Sequence, residues 1–129
     1  MSFLAGSVVF VAWQIFSAKL TISPSGTGVE IQTLRLGEYA APVSKLVIYE
    51  GDTAQEVVRF TAKRKNACMY SIVIRQGVNE FHDMYYVDQY LISYPLGRPY
   101  SFKAGLPYRV VVQWRHLTSE RTFILPQGI

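Results

Sequence analysis

The chain has 129 residues, one cysteine and a formal net charge of +4, with 50% of its residues apolar and 17% charged. That length holds one ordinary domain and excludes a multidomain enzyme. The apolar share excludes bulk disorder, and a single cysteine excludes an internal disulfide framework or a two-pair cysteine zinc site.

Residues 1–18 carry no charged side chain, and Lys19 is the first charge. The run from Phe3 to Phe16 has the length of a signal-peptide core and falls short of the roughly 20 apolar residues of a full membrane span. Trp13 near its end suits a headgroup interface. No basic residue precedes the run, and cleavage after Ala18 would put bulky Phe16 where signal peptidase wants a small residue. The segment therefore reads as an uncleaved anchor or a poorly cleaved signal. A buried β-strand is the other reading, since Val8, Val9, Val11 and Ile15 are β-branched and Phe10, Trp13 and Phe16 are aromatic.

From Lys19 onward the chain shows short β-branched runs separated by turn residues, with no long stretch of helical period. Residues 19–23 form the first run, stopped by Pro24-Ser25-Gly26. Runs at 29–36, 45–49, 56–62, 69–75 and 90–94 follow, and 109–114 and 121–125 complete the series. This spacing predicts an all-β antiparallel sandwich or barrel over 19–129, behind the uncharged segment 1–18. The two-residue strand period puts Val58 and Phe60 on one face and Val57, Arg59 and Thr61 on the other. By the same rule Tyr70, Ile72 and Ile74 share a face, as do Tyr108, Val110 and Val112.

The stretch Phe102-Lys103-Ala104-Gly105-Leu106-Pro107-Tyr108-Arg109-Val110-Val111-Val112 resembles the E–F corner of fibronectin type III modules. Phe102, Gly105 and Tyr108 hold the matching apolar, glycine and tyrosine places. The resemblance implies that the Tyr108 hydroxyl bonds back to upstream backbone and pins the corner. Residues 70–77 look like the family's strand C and 56–61 like its strand B, so the similarity spans about 42–125. Phe60 stands nearest the place of the family's buried tryptophan, and Ala104 and Leu106 replace a proline and a threonine. An immunoglobulin-like or fibronectin III-like sandwich follows from the resemblance, and an adhesive or spacer role more readily than an enzyme.

Catalytic chemistry finds little support. A nucleophile needs a base and an orienting group, and the chain has two histidines, His82 and His116. Cys68 opens an apolar run, where a buried, inert thiol is expected. Glu80, His82, Asp83 and Asp88 offer metal-ligand chemistry, but isolated surface groups are the commoner outcome, and no metal or other cofactor is expected. Gly26 and Gly28 precede a strand-like run rather than a phosphate-binding helix.

Two surface features stand out. Lys63-Arg64-Lys65 between two runs predicts a basic hairpin tip, suited to phosphates or anionic headgroups, or simply a solvated turn. The second is tyrosine-rich, with Tyr85, Tyr86, Tyr90, Tyr94 and Tyr100 alongside Arg98. Tyrosines combine an apolar body with a polar tip and serve well as contact residues. They read as a face for a protein, peptide or glycan partner, or as rings packed over an open end of the fold. Few basic residues interleave with them, which argues against nucleic acid. The expectation is a non-catalytic interaction or structural module, exported or membrane-tethered in a cell envelope. The alternative is a virion or tail structural protein that assembles through its N-terminal arm.

Overall fold

A computed structural model describes residues 18–35, 43–69, 71–79, 81, 89–114 and 117–127. Residues 1–17 lie outside it, so the anchor, signal and strand readings of that segment are not addressed. The described elements are strands: β1 (Ala18–Ser25), β2 (Gly28–Arg35), β3 (Val43–Glu50), β4 (Glu56–Ala62), β5 (Ser71–Ile74), β6 (Gly77–Val78), β7 (Tyr90–Ser93), β8 (Ser101–Phe102), β9 (Pro107–Trp114) and β10 (Leu117–Ile124). Every pairing among them is antiparallel. They form a three-stranded sheet in the order β1-β2-β5, a five-stranded sheet in the order β10-β9-β3-β4-β7, and the small pair β6-β8. The all-β expectation is met.

Both larger sheets feed one core. Leu20, Ile31, Ile72 and Ile74 come from the first, and Leu46, Ile48, Phe60, Val110 and Val112 from the second. Each large apolar side chain removed from water contributes about 1.5–3 kcal/mol. Alternation along β9 is strict: Tyr108, Val110 and Val112 are buried while Arg109, Val111 and Gln113 are half-buried. Ile72 and Ile74 are buried as their shared face requires, whereas Tyr70 lies outside the described residues.

Three local expectations are corrected. Pro24 does not stop the first strand but pairs with Val29 inside β1. β1 stands at the edge of its sheet, where a missing N–H costs no ladder bond. The chain reverses instead at Gly26-Thr27, with Gly26 at φ 63°, a conformation glycine adopts without penalty. Val57 does not face outward with Arg59. The register between β3 and β4 shifts at Ile48/Tyr49, and the extra residue of such a bulge resets the pleat. Val57 is fully buried in the core beside Val58. Lastly, Lys63-Arg64-Lys65 is not a hairpin tip. β4 belongs to the five-stranded sheet and the next strand, β5, to the three-stranded one, so the basic residues lie on a crossover between sheets.

Candidate interaction face

The tyrosine-rich region divides between the core and one loop. Tyr90 is 2% exposed, and its hydroxyl donates to the carbonyl of Val43 at 2.6 Å. Burial raises its pKa well above the ordinary tyrosine value. Its ring therefore belongs to the interior. Tyr94, Arg98 and Tyr100 come together on the loop that leaves β7. Tyr85 and Tyr86 lie outside the described residues.

That loop is held at both ends. Gly97 donates its N–H to the Tyr94 carbonyl at 2.8 Å, closing a turn with Pro95 at its second position, where a fixed φ favours the bend. Gly97 follows with φ 86°. Leu96 is 48% exposed at the crest, and Pro95, Arg98 and Pro99 are exposed around it. Tyr94 is half-buried and packs against the core.

Tyr100 anchors the far end. Its hydroxyl lies 2.8 Å from Glu50 Oε2 and 3.2 Å from the Tyr108 hydroxyl. The Tyr108 hydroxyl accepts the Lys103 backbone N–H at 2.8 Å. One proton assignment satisfies every partner: Tyr108 donates to Tyr100, and Tyr100 donates to the carboxylate, which accepts only. Burial raises the Tyr100 pKa, and its bonds to Tyr108 and Glu50 raise it further. The rings of Tyr100 and Phe102 meet edge to face at 5.0 Å, and Tyr108 stacks on Phe123 at 5.6 Å. Such pairs add about 0.5–1.5 kcal/mol beyond their area. Glu50 is itself fixed at the β3–β4 turn, where Gly51 donates to the Pro107 carbonyl at 2.9 Å. An exposed crest thus sits on a rigid aromatic base. Leu96 and Glu50 went unnoticed in the sequence; the Pro-x-Gly-x-Pro spacing around Leu96 was the available signal.

Lys63, Arg64 and Lys65 are all exposed. Their crossover is pinned by the Lys63 N–H on the Gln89 carbonyl at 3.0 Å and the Ala67 N–H on the Arg64 carbonyl at 3.2 Å. Cys68 is half-buried rather than fully buried, with its Sγ 3.6 Å from the Asn66 carbonyl. Its position after an exposed turn, and not within a strand, accounts for the difference. Among the described residues no group of three or more His, Cys, Asp or Glu side chains could hold a metal ion. Glu80, His82, Asp83, Asp88 and His116 lie outside those residues.

Compared with known proteins, the chain matches no family model and no curated protein.

Proposed function

We propose that the chain is a non-catalytic interaction or structural module of a cell envelope. Its β-rich domain is an immunoglobulin-like or fibronectin III-like sandwich, and residues 1–18 export it or hold it at a membrane. Two observations support the sandwich type. With β1, β2, β3, β4, β5, β9 and β10 taken as strands A, B, C, C′, E, F and G, the sheets run A-B-E and G-F-C-C′-β7, which is the order of that architecture with β7 added beyond C′. In this layout β4 is C′ and β5 is E, not the B and C suggested by the residue pattern alone. The second is the bond from Lys103 N–H to the Tyr108 hydroxyl at the start of β9, the corner geometry of such modules.

The observation that carries the functional reading is the anchored loop 94–100. Two prolines and the Tyr100–Glu50 bond fix its backbone before any partner arrives, which lowers the ordering cost of binding. Leu96 offers an apolar contact, Arg98 a charge, and Tyr94 and Tyr100 partly exposed aromatic edges. The partner is a protein, peptide or glycan.

A photo-reactive residue in place of Leu96, in the full chain within its own cells, tests this. A discrete adduct is expected from that position and none from the same group at exposed Thr122 on β10. Equal labelling from both positions, or none from Leu96, removes the face from consideration.

A further inference from the structure

We propose that Lys63, Arg64 and Lys65 dock the domain on an anionic bilayer surface, so that the crossover end faces the membrane and loop 94–100 faces away. The inference rests on reading residues 1–18 as a membrane segment, and it adds an orientation to that reading.

The topology supplies the geometry. Ala18 pairs with Arg35 and Gln32 with Ser71. The start of β1, the end of β2 and the chain entering β5 therefore lie at one end of the three-stranded sheet. Thr33 ties the incoming chain there, donating its hydroxyl to the Met69 carbonyl at 2.8 Å. From Lys65 to Met69 the chain can reach at most about 14 Å. Ala18 and β5 are two strand spacings apart, about 10 Å. The apolar segment thus joins the domain at the same end as the three exposed cations. Lys19 and Arg35 hold neighbouring backbone positions at that end.

The charge distribution fits. Among the described residues, Lys63, Arg64 and Lys65 make no ion pair; the pairs found are Arg59–Glu56 and Arg109–Glu120. Glu50, Asp52 and Glu56 gather around the β3–β4 turn. β3 runs from Val43, whose neighbours are Trp114 and the end of β4, to Glu50. Those carboxylates, and the Tyr100 that Glu50 holds, are therefore at the opposite end. An anionic surface attracts the first end and repels the carboxylates of the second. The attraction acts within a Debye length of about 8–10 Å, so a short tether brings the cations into range. Each Lys or Arg at such a surface strengthens attachment about fivefold, and three together on the order of 100-fold.

The test uses the full chain carrying Asn66→Cys and Cys68→Ser, with a fluorophore on residue 66. It is mixed with vesicles of neutral lipid, or of neutral lipid containing 30% anionic lipid, each with a nitroxide on some headgroups. The chain is expected to float with both vesicle types. Quenching should be strong only with anionic lipid, and should fall several-fold in Lys63→Gln/Arg64→Gln/Lys65→Gln and in high salt. Flotation with unchanged quenching in the triple variant overturns the docking and leaves the tether standing. No flotation with either vesicle overturns both. A duplex oligonucleotide that binds the same triplet more tightly than anionic vesicles also overturns it.

Discussion

Tyr90 on β7 donates its hydroxyl to the carbonyl of Val43 on β3 at 2.6 Å, reaching past β4, which lies between the two strands. An edge strand of four residues has few ladder bonds of its own, so this side-chain bond is a large part of what secures it.

Tyr90→Phe keeps the buried ring and leaves the Val43 carbonyl without its partner. A loss of about 1–2 kcal/mol is expected. Urea denaturation should show a lower midpoint with an unchanged slope. An unchanged midpoint would mean that water replaces the bond at no cost.

Alkaline pH should destabilise the fold. Tyr90 and Tyr100 both have raised pKa values, principally through burial. The folded chain therefore keeps protons that the unfolded chain releases near pH 10. The stabilisation is complete below that pH and declines as pH rises above it. Urea midpoints should fall between pH 9 and pH 11, with part of the fall abolished in Tyr90→Phe. A flat profile would contradict the burial argument.

Tyr108→Phe removes the acceptor for the Lys103 N–H and the donor to Tyr100 while preserving the stack on Phe123. It should cost about 1–3 kcal/mol, more than Tyr100→Phe, since Glu50 and its neighbours keep access to water. Thermal unfolding of the two variants makes the comparison. Equal melting temperatures would reduce the corner to simple ring packing.

Gly28→Ala and Gly26→Ala separate two uses of glycine within one hairpin. A Cβ on Gly28 would lie 2.2 Å from the Ile74 carbonyl oxygen, whereas one on Gly26 meets nothing within 4 Å. The first forces β2 and β5 apart and should cost about 2 kcal/mol. The second carries only the strain of positive φ, about 1 kcal/mol. Chemical denaturation should rank them in that order.

The residue pattern reveals the strands wherever alternation is clean and turns are marked. Val110 and Val112 show this, and the bond at Tyr108 is the one that the resemblance to a fibronectin III corner implied. Other features depend on information that no local window contains. Pro24 is tolerated because of where β1 stands in its sheet. Val57 is buried because it is itself the extra residue of a bulge. β6 and β8 have two residues each, too few to display a period. The crossover at Lys63-Arg64-Lys65 looks like a hairpin because sequence spacing does not say which sheet receives the next strand. At the candidate face, tyrosine clustering pointed to Tyr94 and Tyr100 but also to Tyr90, since a ring with a polar tip serves a core bond and a surface contact equally well.

The neighbour relation of β3 and β9 also governs how the chain assembles. Ser44 donates its hydroxyl to the Gln113 carbonyl at 2.9 Å, across 69 residues of sequence. Closing so long a loop must precede the reward of that pairing, which places refolding in the slow, millisecond-to-second range of non-local β topologies. During synthesis β3 waits with one side unpaired until β9 has emerged, an interval in which a holding chaperone would protect it from aggregation.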